Sequence, residues 1–159
     1  AMATNLEFLK LVASEKKHTF MSTGMTNINE IKESLDLFLN ESCPVTLLHT
    51  VSTYPAEEST LNLKCINTLK EKFDVPVGYS GHEFMLSTTV EALYLGASIL
   101  ERHITLDRSM WGSDHLASVE PQGLLKLVSG VRELETAFGD GVKRVTEGEL
   151  PTRKKLRGN

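Results

Sequence analysis

The sequence predicts an α/β fold in which four parallel strands alternate with helices, as in half of a (β/α)8 TIM barrel. Short apolar runs alternate with amphipathic stretches four times along the chain. The runs are apolar almost throughout, which is typical of parallel strands buried on both faces. Polar side chains follow at or just after the end of each run, on the face where a barrel places its active site. These side chains are Ser22, His49, Ser80, His82, Glu101 and His103.

The first half of the chain predicts one leading helix and two strand–helix units. The leading helix covers about 5–15, and the first strand covers about 18–22. Thr26 or Asn27 can cap the helix that follows, in which apolar residues recur at a spacing of three or four. The second strand covers about 45–49 and leads through a loop into a second amphipathic helix.

The second half predicts two more units of the same kind. The third strand covers about 75–80, and its helix ends near Gly96, a plausible residue after a helix C-terminus. The fourth strand covers about 98–103. After a long loop, Pro121 begins a helix that ends near Gly139.

An open, doubly wound sheet is the alternative architecture. A dinucleotide-binding fold should show a GxGxxG turn after a strand, and the sequence has none. The stretch at 22–25 is too short a match for a phosphate-binding loop. An open sheet also binds ligands at the carboxyl ends of its strands, so the polar residues favour the barrel without excluding the open sheet.

Composition limits the classes of partner. The chain has 159 residues and a net charge of -4, a size that fits one domain with its own core. The negative balance argues against a nucleic-acid or anionic-membrane partner, and no apolar run approaches the ~20 residues of a membrane span. Cys43 and Cys65 lack CxxC spacing, so we expect two reduced thiols in a cytoplasmic protein.

Two histidines suggest the chemistry of the site. His82 follows the third strand and His103 ends the fourth, 21 residues later, a distance that spans one helix and leads to an adjacent strand end. With Glu101 and Asp114 nearby, the two imidazoles could hold a divalent transition ion and leave positions open for substrate. The alternative is that each histidine is only a hydrogen-bonded residue at the rim.

Strand alternation separates the charged residues at the end of the fourth strand. Glu101 and His103 are two residues apart and point to one side, while Arg102 points to the other. In a barrel, Glu101 and His103 would face the mouth. Arg102 would face the helices, where we expect it to pair with a carboxylate.

Five longer motifs follow one another along the chain. They are MSTGM at 21–25, LLHTVSTYP at 47–55, GYSGHE at 78–83, LGASILERHITLDRSMWGSDH at 95–115 and ASVEP at 117–121. In this order and spacing the chain resembles the C-terminal half of the catalytic barrel of the sialic acid synthases, the phosphoenolpyruvate-condensing N-acetylneuraminate synthase family. The resemblance runs from about Thr4 to about Pro151.

The resemblance implies an activity and a cofactor. Such enzymes condense phosphoenolpyruvate with an N-acetylhexosamine, such as N-acetylmannosamine or its phosphate, to give a nonulosonic acid and inorganic phosphate. A divalent metal, manganese or magnesium, would sit on the histidines that match His82 and His103. Glu101 would complete the catalytic set of the family in this chain.

The resemblance also implies substrate contacts. Ser22 and Ser80 would contact phosphoenolpyruvate, and Ser52 stands where many relatives have asparagine. Tyr54 and Glu101 would bind the acceptor sugar, and Asp114 would hold its hydroxyls near the metal. His49 matches a family position at a strand end and would line the site.

By this resemblance, 1–150 form the C-terminal half of the barrel and 151–159 form a basic tail. A full barrel needs about 250 residues and eight strands, and four are expected here. The lysines with which the family's first half binds phosphoenolpyruvate have no match in this sequence. We therefore expect a homo-oligomer or a completing barrel half as partner. The alternative is a non-catalytic half-barrel that serves as a structural or ligand-binding unit.

Overall fold

The fold is a sheet of four parallel strands with helices between them. The computed structural model describes residues 2–158. The strands lie side by side in the order of the sequence, and each pairs in parallel with the next. They are β1 (Thr19–Ser22), β2 (Val45–Thr50), β3 (Val77–Gly81) and β4 (Leu100–Arg102). This order and direction confirm the predicted half-barrel.

Six α-helices and three short 3-10 turns complete the described chain. The predicted cap of α2 is confirmed at Asn27, whose side chain accepts hydrogen bonds from the backbone amides of Asn29 and Glu30. The Glu30 carboxylate in turn accepts from the Asn27 amide, which completes a capping box. The helices are α1 (Leu6–Ser14), α2 (Ile28–Asn40), α3 (Cys65–Lys72), α4 (Leu86–Tyr94), α5 (Pro121–Phe138) and α6 (Leu150–Arg157).

The core lies between one face of the sheet and the helices. Met21, Leu47 and Tyr79 point from three neighbouring strands into this layer, where they pack with Phe38 of α2 and Ile66 of α3. Phe38, Leu47 and Ile66 are fully buried. Because side chains alternate along a strand, this packing assigns the even-numbered residues of β1 to the opposite, inner face.

The inner face carries the polar residues of the predicted site. In β1, the alternation places Phe20 and Ser22 on this face, and Phe20 remains 55% exposed. The register then sets Thr50 beside Ser80, and Ser80 beside Glu101. One face of the sheet thus packs on helices, and the other presents a polar edge at the carboxyl ends of the strands.

Several strand boundaries differ from the prediction by one or two residues, and two of them have a clear local cause. β3 begins at Val77, because Pro76 has no amide hydrogen and contributes only its carbonyl, to the Leu47 amide. β4 ends at Arg102, because the His103 carbonyl accepts a hydrogen bond from Val119 instead of extending the pairing with β3.

The basic segment near the C-terminus forms a short exposed helix. Most of it lies in α6, whose last turn contains Lys154, Lys155 and Arg157. Asn159, at the end of the predicted tail, lies outside the described residues. Within residues 2–158, every helix is too short or too polar to span a bilayer.

Candidate active site

The two predicted histidines lie together at the carboxyl rim of the sheet. β3 ends at Gly81 and β4 ends at Arg102, so His82 and His103 each occupy the first position after a strand. Their ring centroids are 5.2 Å apart, and their planes meet at 65°. The His103 side chain is 37% exposed. The pair is therefore close enough to act on one ligand and remains open to it.

Tyr54 contributes a third ring to the cluster. Its ring stacks on His103 at a centroid distance of 4.8 Å and meets the edge of His82 at 4.9 Å. Its hydroxyl is 2.9 Å from the Ser118 hydroxyl. The loop that carries Tyr54 is anchored beside β3, because the Ala56 amide donates to the His82 carbonyl. Tyr54, which the resemblance predicts to bind the acceptor sugar, thus packs against both imidazoles.

Carboxylates flank the three rings. Asp114 places one carboxylate oxygen 3.6 Å from Nδ1 of His103. Glu101 accepts a hydrogen bond of 2.5 Å from the Ser80 hydroxyl, as expected for neighbours in the sheet register. The negative charge of Glu101 acts to raise the pKa of His82 and of Tyr54, because it favours their protonated forms. Tyr54, His82 and Asp114 therefore surround His103, and the Ser80–Glu101 pair lies beside this cluster.

Ser22 and Ser52 lie at the other end of the polar edge. The Ser22 hydroxyl donates to Thr50 Oγ1 at 3.0 Å. The Ser52 hydroxyl occupies the space that a β-carbon at position 24 would need, so Gly24 is the residue that allows Ser52 this position. Thr50 was not among the predicted site residues. It lies two residues after Leu48 in β2, so strand alternation could have indicated that both face the same side of the sheet.

His49 does not join this cluster. It lies in the same alternation as Leu47 and points into the helical layer, where its Nε2 is 2.8 Å from the Leu61 carbonyl oxygen. Its ring is 6.0 Å from that of Tyr79. The expectation that His49 lines the site is therefore wrong. A position near a strand end does not by itself decide which face a side chain occupies.

Glu83 is a buried carboxylate that the sequence analysis missed. It is fully buried, and its oxygens accept hydrogen bonds from Tyr79 at 2.9 Å and from Thr89 at 2.6 Å. Arg102 donates to the same carboxylate at 3.2 Å. This ion pair confirms that Arg102 turns away from the mouth and pairs with a carboxylate in the outer layer.

The surroundings of His82 favour its neutral form. Burial lowers the pKa of His82, and the neighbouring His103 lowers it further. The Val51 backbone, Glu101 and Glu83 act in the opposite direction. A neutral imidazole keeps a lone pair for a metal ion, because a protonated ring has none.

Two imidazoles at this separation could hold a divalent ion between them. Nδ1 of His82 is buried and has no hydrogen-bond partner among residues 2–158. Hydrogen bonding within this part of the protein therefore does not occupy this nitrogen. In the same residues no group of three or more His, Cys, Asp or Glu side chains is arranged to hold an ion. Two protein nitrogens would leave the remaining coordination positions to substrate and water.

The four strands are parallel and lie in sequence order, and the candidate site lies at their carboxyl ends. These features place the chain in the (β/α)8 class. The chain belongs to the NeuB family, whose family model matches residues 1–143.

Relatives and solved structures agree with this membership. The chain is 41% identical over 149 residues to N,N'-diacetyllegionaminic acid synthase of Campylobacter jejuni, covering 92% of this chain and 45% of that protein. It is 37% identical to human N-acetylneuraminate-9-phosphate synthase over 153 residues, which is 96% of this chain and 43% of that protein. The crystal structure of N-acetylneuraminic acid synthetase from Leptospira borgpetersenii superposes with a TM-score of 0.86 at 33% identity, covering 99% of this chain and 56% of that one. The chain thus spans about half the length of the proteins it matches.

Proposed function

We propose that this chain carries the metal and acceptor half of a synthase site that joins phosphoenolpyruvate to an N-acetylhexosamine. The product would be a nonulosonic acid, with inorganic phosphate released. Membership of the family and the names of the relatives support this class of reaction. The observation that carries the proposal is the contact of His82, His103 and Tyr54 at the rim, with centroid distances of 4.8–5.2 Å.

In this proposal His82 and His103 hold Mn²⁺ or Mg²⁺. The bound ion would act as a Lewis acid that polarises the aldehyde of the acceptor sugar. Tyr54 limits the orientations of both imidazoles by packing against them. Asp114 is 60% exposed beside His103, so it can accept hydrogen bonds from sugar hydroxyls without leaving its position.

Glu101 is the group best placed to bind or exchange a proton with the acceptor. It lies on the inner face, and the Ser80 hydroxyl holds one of its oxygens at 2.5 Å. The other oxygen remains available to a sugar hydroxyl. Ser80 would then contact phosphoenolpyruvate only after releasing this bond, or would act by orienting Glu101.

The phosphate side of the proposed site consists of hydroxyl groups. Ser22 and Thr50 form a hydrogen-bonded pair, with Ser52 against Gly24 next to them. Hydroxyls can orient a phosphate but do not neutralise its charge. We therefore propose that a completing barrel half, or a second copy of the chain, supplies cationic side chains and covers the exposed inner face near Phe20.

Calorimetric titration with Mn²⁺ tests the metal assignment. The intact chain should bind one equivalent, and the variant with His82→Ala and His103→Ala should not bind. His18→Ala is the matched control, because His18 is exposed just before β1 and lies 2.9 Å from the Thr46 hydroxyl, away from the rim. Equal binding by the double variant and the control would contradict the assignment.

A second assay separates the synthase from a non-catalytic ligand-binding unit. The chain is mixed with the first half of a related synthase barrel, and phosphate release from phosphoenolpyruvate is followed with N-acetylmannosamine as acceptor. Release that disappears in Glu101→Gln supports the synthase. Binding of sugar without any release supports the non-catalytic alternative.

A further inference from the structure

The backbone pairing between β3 and β4 ends directly beside the two histidines. The ladder between β3 and β4 ends with the pair Gly81 and Arg102. One residue further, the His82 carbonyl accepts from Ala56, and the His103 carbonyl accepts from Val119. The carbonyl of each histidine is thus bonded to a different loop. Besides the packing of Tyr54 on both rings, a contact that joins the two strand ends would help to set the separation of the rings.

The buried ion pair provides that contact. Arg102 donates through Nη1 to the Glu83 carboxylate at 3.2 Å and to Thr89 at 2.5 Å, and through Nη2 to the Glu83 backbone carbonyl. Glu83 directly follows His82, and Arg102 directly precedes His103. The guanidinium therefore connects the backbone next to one histidine with the backbone next to the other.

The surrounding groups restrain both members of the pair. The Glu83 carboxylate also accepts from Tyr79, and a β-carbon at position 81 would approach its oxygens to 2.7 and 2.9 Å. Gly81 is thus the residue that leaves room for the carboxylate. A charged group held by several donors and by close packing has little freedom to move.

A contribution to stability does not by itself explain why Arg102 and Glu83 form a buried ion pair. Burying two charges costs desolvation energy, and apolar side chains of similar size often stabilise a core as well or better. Nε of Arg102 is buried without a hydrogen-bond partner in residues 2–158, which adds to the cost. A planar fork that binds a carboxylate, a hydroxyl and a carbonyl together has geometric specificity that an apolar side chain lacks.

We propose that Arg102 and Glu83 are positioning residues that set the separation and orientation of the His82 and His103 rings from the opposite face of the sheet. This proposal rests on the proposed function, in which the two rings share one ion. Side chains alternate along the end of β4, so Glu101 and His103 face the mouth while Arg102 between them faces Glu83 on the other side of the sheet.

The test compares Arg102→Lys and Glu83→Gln with Val45→Ala, a core variant at the amino end of β2. Lysine keeps the charge but cannot form the fork, and glutamine keeps the size of the side chain but loses the charge. Urea unfolding gives the stability of each folded variant. Mn²⁺ affinity should fall about tenfold in Arg102→Lys, as for other residues that orient metal ligands, and stay within about twofold of wild type in Val45→Ala. Wild-type affinity in a folded Arg102→Lys would overturn the proposal, and Glu83→Gln decides in the same way if Arg102→Lys does not fold.

A metal-free measurement separates this proposal from the metal assignment. In the folded chain without Mn²⁺, nuclear Overhauser contacts should join the rings of His82, His103 and Tyr54. The contacts between His82 and His103 should weaken in Arg102→Lys and persist in Val45→Ala. If wild type does not bind Mn²⁺, the metal assignment fails and these contacts alone decide. Unchanged contacts in both variants would then overturn the positioning role.

Discussion

Replacing Arg102 by methionine should destabilise the fold far more than its single ion pair would suggest. The Arg102 side chain is 3% exposed and its partner Glu83 is fully buried. Removing the guanidinium leaves a buried carboxylate with only the Tyr79 and Thr89 hydroxyls as partners. Breaking a buried pair on one side costs about 3–5 kcal/mol, because the remaining charge stays desolvated without compensation.

A double-mutant cycle in urea unfolding isolates this effect. Replacing both members, with Arg102→Met and Glu83→Leu, should recover at least about 2 kcal/mol of the loss, because no uncompensated charge is left. The matched control is Arg132→Met. Arg132 pairs with Glu135 at a shorter distance of 2.7 Å, but both side chains are more than half exposed.

Burial, and not contact distance, is thus expected to decide the cost. Arg132→Met should change the unfolding free energy little, because water screens the exposed pair and solvates the remaining carboxylate. Equal losses of stability in Arg102→Met and Arg132→Met would contradict this expectation. So would a double variant as unstable as Arg102→Met alone.

Two further predictions concern the helical layer and the strand end. Burial lowers the pKa of His49 below the ordinary 6.5, against the opposing effect of its backbone hydrogen bonds, so the unfolded chain binds more protons than the folded chain just below pH 6.5. The free energy of unfolding should therefore fall as the pH is lowered from about 7 to about 5. In urea unfolding His49→Gln should show a smaller fall. Equal falls in wild type and His49→Gln would contradict the attribution of this pH dependence to His49. Gly81→Ala should lose about 1–3 kcal/mol because its methyl group would lie 2.7 Å from the Glu83 carboxylate. Gly130→Ala in α5 meets only Val90 at 3.7 Å and should be neutral or stabilising in the same assay, so equal losses for the two glycines would be inconsistent with the packing.

The features that depend on local patterns could be predicted from the sequence. The four strands, their parallel direction and the cap at Asn27 all follow from short-range signals, and the structure confirms them. The opposite orientation of Arg102 and its neighbours needed only the two-residue period of a strand. The same rule, applied from Leu47, would have placed His49 in the helical layer.

The features that depend on long-range contacts could not be predicted in this way. Nothing in the stretch GHEF indicates that Glu83 is fully buried, because its partner Arg102 lies 19 residues further along the chain. The stacking of Tyr54 on the histidines depends on how its loop folds back over β3. The early end of β4 depends on the competing bond from Val119 to the His103 carbonyl.

Anomalous diffraction from crystals soaked in Mn²⁺ would locate a bound manganese ion. We propose that the His82 and His103 rings, whose centroids are 5.2 Å apart, bind one cation at the rim of the half-barrel. We expect one manganese peak in contact with a nitrogen of each ring. A peak bound elsewhere, or by only one of the two histidines, would contradict this proposal.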